Sequence, residues 1–306
     1  MQIRLMIEGQ EGVTWAEWVS LAQTAEAAGL DGLFRSDHYT SFHGPAGAAL
    51  DAWATIGALA SLTDRLRLGT LVSAATFRLP SELARVAVTV DHVSGGRVEV
   101  GLGAGWFEDE HRQNGFPFPP IMERFDRLAE YVEIVVRSWS AELFDFHGAY
   151  FTLEQQRALP APVQSPHPPI ILGGSGRRRS VGLAARYAQE YNVAFLDPEG
   201  CVRLRKALDQ ACAAVERDPA TLLLSVMTLI SLGKRHSEAE DRLRRALELF
   251  QGPPERGCAA TPDEAIELLA RYERAGVSRM YLQHPDRRDV EALELMGDLA
   301  RSIALR

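Results

Sequence analysis

Short apolar runs and amphipathic stretches alternate along the whole chain. Eight runs read as strands: Ile3–Ile7, Gly32–Ser36, Leu66–Ser73, Val98–Leu102, Ile170–Leu172, Tyr191–Phe195, Leu222–Leu232 and Met280–Gln283. Several are apolar throughout instead of alternating, as a parallel strand covered on both faces requires. Between them, apolar positions recur at helical spacing. Thr14–Ala28 opens on Thr14 with Glu17 three residues on, a capping box, and stops at Gly29. Asp51–Leu62, Pro80–Val93, Glu123–Trp139, Ser180–Ala188, Pro198–Glu216, Ser237–Phe250, Thr261–Ala275 and Asp289–Ile303 follow. Asp197 and Pro198 read as N-cap and first helical residue, Ser237 with Glu240 as a second capping box, and Thr261 with Glu264 as a third.

Eight strands alternating with helices over 306 residues predict an α/β fold, the (β/α)8 TIM barrel. A doubly wound open sheet would show its glycine fingerprint after the first strand, and Ile7-Glu8-Gly9-Gln10-Glu11-Gly12 does not match it. One segment breaks the rhythm. Between Ser140 and Pro169 the sequence is first aromatic and then proline-rich, with Phe144–Phe146 and Tyr150–Thr152 flanking His147-Gly148 as a short hairpin. We read about 140–168 as an insertion before the fifth strand, long enough to be a functional loop. No linker or internal repeat divides the chain, so 1–306 is read as a single domain.

Composition narrows the partners. The net charge is −8 and the pI about 5.6, which exclude nucleic acid or an anionic membrane as the main partner. With 46% hydrophobic and 24% charged residues the chain is ordinary for a soluble enzyme. No apolar run is long enough to span a bilayer. The N-terminus enters a strand directly, without the features of a signal peptide, so a cytoplasmic location is expected. Cys201, Cys212 and Cys258 form no CxxC pair and have no histidine at ligand spacing; they read as small buried hydrophobes.

Three strand ends carry chemistry. Asp37-His38 follows a buried strand, where a polar pair suggests something that binds there and His38 is a candidate acid/base. Gly173-Gly174-Ser175-Gly176-Arg177 joins a strand to a helix whose free N–H groups and positive dipole end suit a phosphate, with Arg178 and Arg179 adding charge. Gly101-Leu-Gly-Ala-Gly105 before Trp106 lacks such charge and is better suited to letting a flat ring lie against backbone. The acidic residues Glu108, Asp109 and Glu110 fit the first turn of a helix, and no metal site is predicted. Neither a nucleophile elbow nor a P-loop is present.

These landmarks resemble the bacterial luciferase-like monooxygenase superfamily, and within it the branch of coenzyme F420-dependent (deazaflavin) oxidoreductases. The resemblance covers essentially the whole chain. It rests on Glu26–Phe34, Ser36-Asp37-His38, Leu66–Ser73, Asp91–Val98, Gly101–Trp106 with Glu110, and Pro169–Gly176, in that order and spacing. It implies a TIM-like barrel with an insertion, and a cofactor over the C-terminal strand ends. It also implies a non-proline cis peptide in the third strand, at or next to Leu71-Val72. By resemblance the cofactor residues are Leu71, Val72 and Ser73; Gly103, Ala104, Gly105 and Trp106; and Gly173, Gly174, Ser175, Gly176 and Arg177. His38 would be the catalytic group, with Asp37 as its orienter. Characterised deazaflavin dehydrogenases carry a Trp near the place of Phe42 and a Glu near that of Trp106. This chain lacks both, so the resemblance does not extend to the sugar-phosphate and simple alcohol substrates of those enzymes.

The activity implied is hydride transfer between F420 and a small organic substrate; an FMN-dependent monooxygenase using reduced flavin and oxygen is the alternative. A cofactor-less binding barrel is a third reading, which three decorated strand ends disfavour. Specificity is expected in Tyr39–Leu50 and the insertion. A homodimer is expected through Asp51–Leu62 and Pro80–Val93, because Ala52–Ala60 is apolar nearly all round.

Overall fold

The computed structural model describes residues 1–43, 48–251 and 256–305. In chain order the elements are β1 (Gln2–Ile7), α1 (Trp15–Ala28), β2 (Gly32–Arg35), α2 (Ala52–Ala60), β3 (Arg67–Thr70), β4 (Ser73–Ala74), α3 (Pro80–Ser94), β5 (Val98–Gly103), α4 (Glu108–Asn114) and α5 (Ile121–Trp139). There follow β6 (Phe144–His147), β7 (Thr152–Gln156), β8 (Ile170–Gly173), α6 (Arg178–Tyr187), β9 (Glu190–Ala194), α7 (Pro198–Ala213), β10 (Leu223–Leu232), α8 (His236–Phe250), β11 (Gly257–Ala260), α9 (Pro262–Arg274), β12 (Val277–Gln283) and α10 (Val290–Ala304).

Eight parallel strands close into a barrel in the order β1-β2-β3-β5-β8-β9-β10-β12, with β12 returning to β1. This is the predicted (β/α)8 architecture. Helices cover the outside and bury a continuous apolar layer against the strands; Trp18, Leu33, Ile56, Leu68, Val98 and Leu172 belong to it. Inside, the end holding the strand N-termini is filled by charge. Arg4 donates both terminal nitrogens to Glu99 at 2.6 and 2.8 Å, while Arg67 also bonds Glu99 and Arg279 bonds Glu190. Burial alone would raise the Glu99 carboxyl, but Arg4, Arg279 and Arg67 outweigh it and hold the pKa down at about 2. Above this layer lies an apolar one, with Met6, Phe34, Ile171 and Tyr281, and then Leu71 with Val72 and Met227.

Several local expectations change. The third strand is not continuous. A cis peptide between Leu71 and Val72 interrupts the ladder, so β3 ends at Thr70 and β4 resumes at Ser73. The capping boxes at Thr14 and Thr261 are present. The one expected at Ser237 is not: the N-cap falls two residues earlier, at Arg235, with no side-chain cap, while Glu238 accepts from Lys234 N. A ninth parallel strand, β11, extends the sheet from β10, and the short α4 follows β5 as a separate helix. All three cysteines are free; Cys201 and Cys212 are buried.

The insertion forms the expected hairpin, β6 with β7. It docks on the outside of α5 and α3: Glu130 accepts from the N–H groups of Ala149, Tyr150 and Phe151, and Asp91 from those of Val163 and Gln164. Gln164 reaches the carbonyl of Val98, and Arg67 reaches Gln164. Both contacts lie at the N-terminal ends of strands, opposite the ends predicted to carry chemistry. Among the described residues no helix is long and apolar enough to cross a membrane.

Candidate active site

The decorated strand ends converge on one barrel face, which holds a cavity of about 420 Å³. Its lining comes from the ends of β1 (Glu8), β2 (Ser36, His38), β3 (Leu71), β9 (Ala194, Phe195), β10 (Met227, Leu229) and β12 (Gln283), with Trp106 after β5. The loop after β2 adds Phe42 and His43, as expected of 39–50. The segment around the end of α8 adds Leu247, Phe250 and Arg256. No residue of 140–168 lines the cavity, so the expectation that the insertion sets specificity is not met.

His38 is held by a carboxylate, though not that of Asp37. Its Nδ1 lies 2.8 Å from Glu110 Oε2. Glu110 sits one turn into α4, fully buried, and its other oxygen accepts from Tyr39 N at 2.5 Å and Thr40 N at 3.1 Å. A carboxylate already accepting two N–H bonds fixes Nδ1 as the donor, so in the neutral ring Nε2 carries the lone pair. Nε2 makes no hydrogen bond among the described residues. Aromatic rings enclose the imidazole: Phe42 at 4.8 Å, Trp106 at 5.8 Å, and Phe77 and Phe107 at 6.5 Å between centroids. Trp106 is 63% exposed at the cavity mouth.

Asp37 has a different task. Its buried carboxylate accepts from Ser73 Oγ at 2.6 Å and from Arg78 at 2.5 and 3.3 Å. Ser73 in turn accepts from Trp53 Nε1, and Arg78 bridges to Asp51. Asp37 therefore ties the end of β2 to the break between β3 and β4 and to α2. The expected orienting contact with His38 is replaced by Glu110, because α4 swings a buried carboxylate over the ring.

The glycines divide into two groups by what fills the space of their missing side chains. A Cβ on Gly103 or Gly173 would meet Val72 methyls at 2.8–3.0 Å, and one on Gly101 would meet first the Thr70 carbonyl and then a Val72 methyl. Val72 thus lies between β5 and β8, and its neighbour Leu71 lines the cavity. Gly174 yields its space to the Tyr191 hydroxyl, which accepts from Gly176 N at 2.9 Å and pairs with Ser180 Oγ at 2.8 Å. Burial pushes the Tyr191 hydroxyl pKa up. This bracket sets the turn from β8 into α6. Gly105 and Gly176 adopt positive φ of 80° and 76°. At the start of α6, Arg177 is the N-cap and provides no side-chain hydrogen bond to the free N–H groups. Ser175, Arg177 and Arg178 are exposed, and Arg179 is taken by Asp126 at 2.8 Å.

Sequence reasoning missed Glu110 as a partner of His38, along with Glu8 and Gln283. Glu8 and Gln283 carried a usable signal, since each is a polar residue where an apolar strand runs out. Glu110 stood out only through the family resemblance; by local pattern it reads like its exposed neighbours Glu108 and Asp109, so its pairing with His38 was not foreseen.

The structure is a closed parallel barrel with a cavity and a carboxylate-held histidine at its C-terminal face; of the expected cofactor residues Leu71 and Trp106 line that cavity, and the Gly173–Arg177 turn does not. A family model described as luciferase-like monooxygenase matches residues 2–305, and the chain belongs to that family. Among curated relatives, an F420-dependent glucose-6-phosphate dehydrogenase of Microbacterium testaceum is 29% identical over 312 residues, covering 92% of this chain and 91% of the relative. Among solved structures, an F420-dependent secondary alcohol dehydrogenase in complex with an F420-acetone adduct aligns with a TM-score of 0.85 at 21% identity, over 97% of both chains. A monooxygenase from Streptomyces bottropensis aligns at 0.87 and 22%, over 100% of this chain and 99% of that one.

Proposed function

We propose that the chain is an oxidoreductase that transfers a hydride between coenzyme F420 and a small organic substrate. The observation that carries this reading is the His38–Glu110 pair opening on the cavity. Hydride transfer to a carbonyl, or from an alcohol, needs a proton moved at the adjacent oxygen, and this pair presents one basic nitrogen there. The F420-dependent relatives supply the cofactor's identity.

The residues fit such a group. The uncapped N–H groups of α6, with Ser175 and the exposed Arg177 and Arg178, would hold its phosphate. Leu71, next to Val72, would back its ring, while Ala104, Gly105 and Trp106 would flank it. Ser73, Gly103, Gly173, Gly174 and Gly176 shape these two surfaces. When bound, F420 supplies the carbon centre that gives or takes the hydride. His38 Nε2 takes the proton of a substrate hydroxyl in oxidation and returns it to a carbonyl oxygen in reduction. Glu110 keeps that nitrogen free by engaging Nδ1, and stabilises the imidazolium once it forms. Asp37 and Arg78 act at a distance by holding the Leu71–Ser73 segment.

An FMN-dependent monooxygenase would use the same wall and anion loop. Fluorescence titration separates the two: F420 should bind and FMN should not, and binding of FMN alone would overturn the proposal. His38→Ala should keep fold and F420 affinity while slowing turnover about 10²–10⁴-fold. The reading includes a homodimer on the side of α2 and α3, where Leu62, just after α2, and Val93 on α3 are 47% and 49% exposed, although Trp53, Ile56 and Leu59 of α2 are buried within the chain. The insertion, docked on α3 and α5, has no hydrogen bond to α2. Light scattering giving the monomer mass of 33.7 kDa would remove the dimer.

A further inference from the structure

The cavity wall at the ends of β1 and β12 centres on a carboxylate. Glu8 lines the cavity, with Oε1 accepting from Gln283 Nε2 at 2.8 Å and Oε2 from Gln10 Nε2 at 3.1 Å. The amide of Gln10 is itself fixed, since its Oε1 accepts from Ser36 Oγ at 2.5 Å and Ser36 accepts from Gly9 N. Glu8 is thus locked in place, with lone pairs left on both oxygens. Beside it, Gln283 is 5% exposed and its buried Oε1 has no hydrogen-bond partner. Gln283 Oε1 is sealed from the cavity, so it is the free lone pairs of Glu8 that call for a donor.

The rest of the cavity is apolar or aromatic, with Phe42, Leu71, Trp106, Phe195, Met227 and Phe250. Apart from the histidines it has one cationic side chain, Arg256, which is exposed and lies over the Phe195 ring at 5.5 Å. The sequence segments 44–47 and 252–255 include no Lys or Arg. Phosphate or carboxylate recognition calls for converging guanidinium, ammonium or N–H donors. This site offers instead a fixed carboxylate.

We propose that Glu8 determines specificity: it selects an uncharged, mostly apolar alcohol or ketone bearing a second hydroxyl away from the reacting carbon, and it rejects anionic substrates such as sugar phosphates. This rests on the function proposed above. The reacting oxygen sits at His38 Nε2, and the second hydroxyl donates to Glu8.

The test uses F420-loaded protein and three matched probes followed by calorimetry: cyclohexanol, a cyclohexanediol with its second hydroxyl across the ring, and a hydroxycyclohexanecarboxylate. The diol should bind tightest and the carboxylate weakest. In Glu8→Gln the advantage of the diol over cyclohexanol should fall by about tenfold or more, the size of a hydrogen bond to a charged acceptor, and the carboxylate should gain. Glu8→Asp, which keeps the charge but withdraws it, should lose the diol preference and still reject the carboxylate. F420 affinity, read from deazaflavin fluorescence, should be the same in all variants. The proposal is overturned if the carboxylate or glucose 6-phosphate binds as well as the diol. It is equally overturned if Glu8→Gln shifts F420 affinity in place of diol affinity. Failure of the wild type to bind F420 would fall on the function reading instead; the probe ranking on cofactor-free protein would then still decide the role of Glu8.

Discussion

Replacing Glu110 by Gln tests the proton relay with little steric change. The Gln oxygen can still accept from Tyr39 N and Thr40 N, so the turn that carries His38 should keep its form. The amide NH2 then takes the place of Oε2, 2.8 Å from Nδ1. Donor would face donor, so the ring must turn its Nδ1 lone pair toward the amide and carry its proton on Nε2. The nitrogen facing the cavity changes from acceptor to donor, which is the wrong form to take a proton from an alcohol. The lost stabilisation of the imidazolium alone is about 1.5–3 kcal/mol, the value of a hydrogen bond to a charged group, or roughly ten- to hundredfold in rate. Reversal of the tautomer adds to this, so alcohol oxidation should slow by about 10²–10⁴-fold, the range for a disabled general base. Two measurements check it. Long-range proton–nitrogen NMR should show the His38 proton on Nδ1 in the wild type and on Nε2 in the variant, with no substrate needed. Steady-state turnover should fall, while circular dichroism and F420 affinity stay unchanged. An unchanged tautomer, or wild-type turnover, would refute the reasoning.

Removing both Arg177 and Arg178 as Ala should weaken F420 binding about three- to tenfold, most at low ionic strength because both side chains are exposed; affinity independent of these residues and of salt would take the phosphate away from α6. Gly174→Val should lower stability as well as affinity, since the new side chain displaces the Tyr191 hydroxyl; a melting temperature equal to wild type would deny the bracket. Glu99→Gln should destabilise the barrel by about 3–5 kcal/mol, measured by denaturant unfolding, because it takes the anion from both terminal nitrogens of buried Arg4 and leaves it only Asp31, at Nε. The folded pKa of Glu99 is below its unfolded value. Its contribution is therefore fully present above about pH 4.5 and lost as pH falls toward 2. Acid unfolding of the wild type should steepen over that window, and a variant with the same acid profile would exclude Glu99 as the cause.

The architecture was legible because it rests on local, repeating signals. Mostly apolar runs such as Ile3–Ile7 and Val98–Leu102, each broken by a single charge, Arg4 or Glu99, read as buried strands, and eight such runs separated by capped helices leave few topologies. The strand ends advertised themselves in the same way, since Asp37-His38 and the two glycine clusters stand where buried strands stop. What these residues do was decided by side chains far apart in sequence. Glu110 meets His38 across 72 positions and Ser73 meets Asp37 across 36, so no spacing rule could assign Glu110 as the orienter and Asp37 as a strut. The glycines of β5 and β8 looked like room for a ligand, yet part of that room belongs to Val72, because only the closed barrel brings the bulge between those strands. The insertion read as a functional loop from its length. Its destination was fixed by Glu130 and Asp91, whose carboxylates satisfy its backbone N–H groups on the far side of the barrel from the cavity. Periodicity along a chain determines which elements form and which face is buried; the pairing of polar groups is a property of where the elements meet, and that exists only once the barrel has closed.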